Sequence, residues 1–431
     1  MVRWIARQYL IPFRDLPPSV WFVSLTVLIN RSGTMVLPFL ALYVTTELGL
    51  EISAAGYLLA MYGVGAILGN WIGGWLKGRF GPLLVQFASL AFAAGGFMLL
   101  SLAHGESEVA ACLFLLSLVG EANRPAAATA TTLLAPPHAI TRAFALNRLA
   151  INLGMSIGTV LGGFLAEIGF KYLFYADAVT CLLAAVFLAA TLGLSRLPDC
   201  ETEDAPLADG LGSPWRDHQF LLVMFLLFIY ALVFFQVLGT YVLYLEQQYH
   251  FSKPLIGAIL AINTVLIVLV EMLVIHHTEQ YSRLKLVACG CILIGLGFGL
   301  LPFGSGIVYC SVLVVIWTAG EILGSSPSLA YVTSRSTRAN QSAYLAAYAM
   351  TMSAALVLAP VLGMSLYEQN PNWPWYASLG ICTCIAAALY WIDSRRRALD
   401  LPTRIQVATL ISPDCEIEAT PVAIPALPPR V

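Results

Sequence analysis

Twelve stretches of this 431-residue chain stay apolar for roughly the 20 residues a helix needs to cross a bilayer core. They lie at 20–47, 54–76, 83–103, 109–134, 141–168, 172–194, 219–246, 254–276, 284–303, 307–332, 341–367 and 375–394. In hydrocarbon every backbone N–H and C=O must find a partner inside the protein, which leaves helices or closed barrels. The runs are continuous rather than alternating, so the reading is helices and not barrel strands. Composition agrees: 59% of residues are hydrophobic and 11% charged, where a soluble domain carries about 25% charged. The expected fold is an all-α polytopic membrane protein with twelve transmembrane helices.

The charges test that count independently. With both termini in the cytoplasm, 22 Lys and Arg residues fall almost entirely into inside loops, from Arg14, Lys77 and Arg79 to Arg335 and Arg395. Only Lys171 and Lys253 lie outside, and Arg31, Arg124 and Arg148 lie within runs. That asymmetry is the one insertion imposes. Two halves also match. Gly120-Glu121 recurs as Gly320-Glu321, and the same offset carries Ala143-Phe144 onto Ala343-Tyr344 and Gly163 onto Gly363. Such a duplication predicts two pseudo-symmetric six-helix halves. The expected divisions are a cytoplasmic N-terminus at 1–19, a first half at 20–194 and a cytoplasmic linker at 195–217. The linker carries the acidic residues Glu201, Glu203, Asp204 and Asp209. A second half at 218–397 and a disordered, Pro-rich cytoplasmic tail at 398–431 complete the chain.

Several functions are disfavoured on the same grounds. A net charge of −2 suggests no nucleic-acid partner. Nine cysteines, mostly inside apolar runs, read as small fillers rather than disulfides or metal ligands. His276-His277 diverge on a helix, so no metal is expected there. Gly154-Met-Ser156-Ile-Gly158 matches a nucleophile-elbow pattern but lies in a membrane run without strand-turn-helix context. No Walker-type phosphate loop occurs. The 1–19 stretch lacks the pattern of a removable signal peptide, so the first run is expected to serve as an uncleaved insertion signal.

The loop after the second run reads Gly73-Gly74-Trp75-Leu76-Lys77-Gly78-Arg79-Phe80-Gly81. It is similar to the Gly-x-Leu-Ala-Asp-Arg-x-Gly signature of the major facilitator superfamily, with Gly78 at the acidic position. In the fifth run Gly154-x-x-x-Gly158-Thr159-x-x-Gly162-Gly163 resembles that superfamily's antiporter motif, with Thr159 in place of proline. Asn30-Arg31-x-Gly33, Pro38-Phe39-Leu40-x-Leu42-Tyr43 and Glu121-x-Asn123-Arg124-Pro125 look like the twelve-helix drug:proton antiporter branch, close to its MdtH-type members. The resemblance implies alternating access and export. It assigns Gly74, Lys77, Arg79 and Gly81 to a gating loop. It also places the second and fifth helices against the opposite half as sliding surfaces, while their ladders Gly65/Gly69/Gly73 and Gly154/Gly158/Gly162 read as close helix packing.

Ionisable residues at membrane depth are costly, about 2.5–3.5 kcal/mol each on insertion scales, so they need partners or a wet cavity. Glu321 lies mid-run with no basic residue of the second half at its depth; a carboxyl so placed can alternate between neutral and ionised forms as water reaches it. It is the first proton-coupling candidate, and Glu121, its repeat mate, the second. Glu121 and Arg124 share a helix face and can pair; Arg148 and Asn152 share another. Arg31, Asn30, Asn123, Arg124, Arg148, Asn152, Asp177 and Gln236 are cavity candidates, alongside aromatic residues such as Tyr62, Tyr230 and Tyr348. Structural ion pairing is the competing reading for Arg124 and Arg148, and a fixed packing hydrogen bond for Glu321. Asp177 is expected near the outer end, facing water, and Glu271 near the cytoplasmic interface.

The expected protein is therefore a non-enzymatic, cofactor-free, proton-coupled exporter of small amphipathic compounds. It acts as a monomer in a bacterial inner membrane, with the small-molecule solute, protons and the bilayer as partners. A nutrient importer on the same fold and a non-transporting sensor are the alternatives.

Overall fold

A computed structural model describes residues 13–195, 197, 213–278, 280–336 and 340–410, the side chains of His276 and 396–410 excepted. The acidic linker residues Glu201, Glu203, Asp204 and Asp209 lie outside it, as does the tail from 411. Among the described residues there is no strand. Eleven helices are long and apolar enough to cross a membrane. They are α1 (Pro18–Glu47), α2 (Ile52–Phe80), α3 (Pro82–Leu100), α4 (Glu106–Leu134), α5 (Pro137–Ile168), α6 (Phe170–Leu192), α7 (His218–Leu238), α8 (Lys253–Ile275), α10 (Ile307–Arg335), α11 (Gln341–Gln369) and α12 (Trp373–Arg395). The twelfth, α9 (Arg283–Gly299), has 17 residues, about 26 Å at 1.5 Å per residue, and is continued by the turn Leu301–Phe303. It packs between α10 and α12. Helix α12 runs on to Leu410, across residue 397 where the tail was expected to start.

Three helices are interrupted, and sequence chemistry explains two of the breaks. A proline lacks an N–H and its ring clashes with the carbonyl four residues back. Pro38 therefore disfavours a helix through Thr34, and α1 divides into Pro18–Ser32 and Val36–Leu42. Pro125 acts likewise on Glu121, and α4 divides into Glu106–Gly120 and Asn123–Leu134. The third break has no proline: α7 passes through a tight turn at Phe235–Leu238 and Gly239, then resumes as Thr240–Gln247. The breaks in α1 and α7 occupy corresponding places in the two halves, as in transporters built from repeats.

The glycine ladders serve packing, as expected, and do so inside one half, while other faces of α2 and α5 meet α11 and α8 of the opposite half. A Cβ on Gly65, Gly69 or Gly73 would meet Ser117, Leu118 or Ala122 of α4. One on Gly154, Gly158 or Gly162 would meet Arg31, Ser32 or Met35 of α1. Small residues at this spacing let backbones approach closely. Other glycines join the halves: Gly56 and Gly63 lie against Pro360 and Val357 of α11, Gly163 against Lys253 and Pro254, and Gly257 against the Thr159 carbonyl. All four sit towards the end that holds the α1–α2, α5–α6, α7–α8 and α11–α12 loops. There the second pieces of α1 and α7 also touch each other. The halves are thus closed at this loop end. The opposite end, which carries the 195–217 connector, is called the connector end below.

Candidate functional site

Polar side chains gather in two places, one inside the first half and one between the halves. The first surrounds the α1 break. That break leaves the N–H groups of Met35 and Val36 without helical partners, and the Asp177 carboxylate of α6 accepts both, at 3.2 and 3.3 Å from Met35 and 3.1 Å from Val36. Asp177 is 1% exposed, so the expected water-facing position is corrected: it is a buried cap, the role carboxylates play at orphaned helix N-termini. Asn30 donates to Cys181 Sγ at 3.4 Å. Arg31 places a buried Nε without a hydrogen-bond partner into the same space. Across it, Glu121 forms an ion pair with Arg124 at 2.5 Å and accepts a hydrogen bond from the Tyr62 hydroxyl at 3.3 Å. The expected i,i+3 pair therefore forms. The cavity these groups enclose is only ≈ 70 Å³, room for a few water-sized molecules. Asn30, Arg31, Glu121 and Asp177 therefore line a polar cavity within one half that is too small for a drug-sized solute. Asn123 is buried beside it with an unpartnered Oδ1.

The second group lies on the seam between halves. Arg148 of α5 reaches Glu271 of α8 in an ion pair, and Ser326 of α10 donates to the same carboxylate at 3.2 Å. Sequence spacing suggested Asn152 as the neighbour of Arg148 and an interfacial setting for Glu271. Instead Arg148 crosses to the other half, and Glu271 is 6% exposed. Higher on the seam Ser156 and Thr264 share a 2.6 Å hydrogen bond. Glu321 accepts from Asn263 Nδ2 of α8 at 2.8 Å, and the same amide donates to Thr318 at 3.2 Å. Glu321 lies within electrostatic reach of Arg148 and Glu271, so a first-half cation faces the acid that the sequence left without one. Towards the connector end a cavity of ≈ 430 Å³ opens between Arg148 and residues of α10 and α11, including Ser325, Ser326, Leu329, Thr333 and Tyr348. That volume suits a small molecule.

Gln236 is not a cavity residue. Its Nε2 donates to the Leu232 and Ala359 carbonyls, both at 2.9 Å, and its Oε1 accepts from Thr240 at 2.7 Å. The Ala359 bond fastens the α7 break to α11, and the other two hold the break itself. Gly74, Lys77 and Arg79, expected in a gating loop, lie instead in the last turns of α2, which runs helical to Phe80; Lys77 donates to Thr129 of α4 at 2.7 Å, and Arg79 lies 5.7 Å over the rings of both Trp75 and Phe80. Gly81 takes φ +86° to turn the chain into Pro82 and α3, a conformation that favours glycine. Gly74 has open space where a Cβ would be. Thr159, which stands at the motif's proline, bonds back to the Met155 carbonyl at 3.0 Å and leaves α5 unbroken.

Outside the two clusters, Asp217 caps α7 by accepting from the Phe220 N–H at 3.0 Å and pairs with Arg335 at 2.7 and 3.0 Å. Burial works to raise its pKa, but these donors outweigh it and hold the carboxyl below its usual range.

The model of the Major Facilitator Superfamily matches residues 20–343 and 243–413. The chain belongs to the major facilitator superfamily. It is accordingly a multi-pass membrane transporter and not an enzyme. Multidrug resistance protein MdtH of Yersinia pestis is 24% identical, over 90% of this chain and 95% of its own. Multidrug resistance protein 1 of Bacillus subtilis is 23% identical, over 81% and 90%. Among solved structures, a point mutant of the peptide transporter POT in complex with alafosfalin superposes with a TM-score of 0.74 at 17% identity, covering 88% of this chain and 95% of that one. A point mutant of the nucleoside transporter NupG gives 0.71 at 12%, covering 87% and 99%. At such identities these structures share the superfamily fold alone.

Proposed function

We propose that this protein is a proton-coupled secondary transporter that exports small amphipathic compounds across a bacterial inner membrane. Both termini and the connector end face the cytoplasm in this reading, because nearly all the Lys and Arg residues outside the membrane runs lie on that side. The structure is then closed to the outside and open to the inside. Two full-length relatives named for multidrug resistance support export of drug-like solutes.

One observation carries the coupling assignment: the Glu321 carboxyl, within electrostatic reach of Arg148 of the other half, has a neutral amide, Asn263, as its hydrogen-bond donor. Glu121 instead holds a formal cation, Arg124, at 2.5 Å. An acid bound to a neutral donor can change charge without breaking an ion pair, and its ionised form then bears on the nearby Arg148. Glu321 is therefore assigned the proton, and Glu121 a structural charge. The test is flux of candidate compounds in proteoliposomes under an imposed proton gradient, for wild type and Glu321→Gln. Wild-type solute should move against the proton flow, and the variant should lose the pH dependence. A variant with the wild-type pH profile would eliminate Glu321, and co-directional flux of proton and solute would assign an importer.

A further inference from the structure

The cavity between the halves has a one-sided polar lining. The acid beside it, Glu271, has a side chain only 8% exposed, accepts from both Arg148 and Ser326 on its Oε1, and is not among the residues that line the cavity. The donors of the lining are largely uncommitted. The Arg148 side chain is 52% exposed, and only one of its five guanidinium N–H groups is used on Glu271. Among the described residues nothing engages the hydroxyls of Ser325 and Tyr348, which line the same space. Leu329 and Ala330 supply an apolar wall beside them. A solute entering here meets free donors and a greasy surface, with no carboxylate among the residues that line the space.

We infer that this cavity binds solutes carrying a carboxylate or similar anion on an apolar body. The anion lies on the open edge of the Arg148 guanidinium with Ser325 and Tyr348 donating to it. A planar guanidinium is well made for this, since it can hold Glu271 on one edge and a second anion on another. The inference rests on the transporter reading and names the substrate class of that same site. It excludes a simple cationic drug as the preferred occupant.

Binding separates the charges directly. Purified full-length protein in neutral phosphatidylcholine nanodiscs is titrated, by scintillation proximity, with radiolabelled 1-naphthoate and with 1-naphthylmethylammonium, which presents the same ring with opposite charge. Wild type should bind naphthoate saturably and the ammonium not at all. The variant Arg148→Gln/Glu271→Gln strands no buried charge, and a melting temperature above that of Arg148→Gln with a single gel-filtration peak separates loss of binding from loss of fold; it should bind naphthoate roughly tenfold or more weakly. Tyr348→Phe should weaken binding severalfold with no change in charge. Absent naphthoate binding, equal binding by the double variant, or preference for the ammonium each overturns the assignment. Adding phosphatidylglycerol to the nanodiscs distinguishes a lipid source: if it abolishes naphthoate binding in an Arg148-dependent way, the occupant is a lipid headgroup and a soluble solute is ruled out. Proton-linked flux without naphthoate binding would sink this inference alone, and naphthoate binding without proton-linked flux would sink only the coupling.

Discussion

The Arg148–Glu271 pair is an asymmetric bond, and removing either partner should have different consequences. Arg148→Gln leaves a carboxylate that is 8% exposed without its counter-charge. Stranding a buried charge costs about 3–5 kcal/mol, and the wet cavity beside the pair lowers this to about 2–3 kcal/mol. Glu271→Gln leaves a guanidinium that is 52% exposed and stays hydrated, so its loss should be about 0–1 kcal/mol. The double variant removes the stranded charge as well as the pair, and should recover most of the Arg148→Gln loss. Unfolding of membrane proteins of this size is commonly irreversible, so apparent melting temperatures are compared at one scan rate. The expected order is wild type, then Glu271→Gln, then the double variant, with Arg148→Gln least stable. If Glu271→Gln proves as damaging as Arg148→Gln, or the double variant is worst of all, the pair is not the buried-acid, open-cation bond described.

Asp177→Ala leaves the N–H groups of Met35 and Val36 unpaired and should cost about 1–3 kcal/mol; Asp177→Asn, which keeps an acceptor, should cost less in the same melts. Gly163→Ala pushes a methyl against the Lys253 carbonyl and Pro254 and should destabilise the loop-end closure by about 1–3 kcal/mol. Gly74→Ala enters open space and should be neutral or stabilising by roughly 0.5–1 kcal/mol through helix propensity. Asp217 has a folded pKa below its unfolded value, so its stabilisation is complete above the unfolded value of about 3.9 and is lost as pH falls through the folded one. Melting temperatures taken from neutral pH down to roughly pH 3 should fall for wild type and lose that component in Asp217→Asn.

The hydropathy runs and the charge asymmetry made the helices legible, because both are properties of the chain itself. Pro38 and Pro125 mark the breaks in α1 and α4, but Pro327 and Pro360 sit inside unbroken α10 and α11, so a proline alone does not say where a helix divides. What stayed hidden was helix rotation. Seven residues separate Gly56 from Gly63, and both face the other half, yet Gly65, two further on, faces α4. Runs of uniform apolarity carry no moment to say which face is which. Pairing across the seam is hidden for the same reason: Arg148 and Glu271 are 123 residues apart, while local spacing pointed to Asn152. Asp177 was misplaced because depth in a run does not reveal a break in a neighbouring helix. Gln236 looked like a pocket residue because its partners, Thr240 and the Ala359 carbonyl, meet it only once α7 has turned.

The central claim is that the two halves close one end while opening the other, with a proton at the seam as the trigger. Paired spin labels on a cysteine-free background would read both ends at once by pulsed electron resonance. One pair replaces Glu51 and Glu368 at the loop end, and a second replaces Phe80 and Ser342 at the connector end. If Glu321 carries the coupling proton, changing pH between about 5 and 8 should shift the two distance distributions in opposite directions, and Glu321→Gln should abolish the shift. Distances that stay fixed, or that lengthen and shorten together, would contradict it.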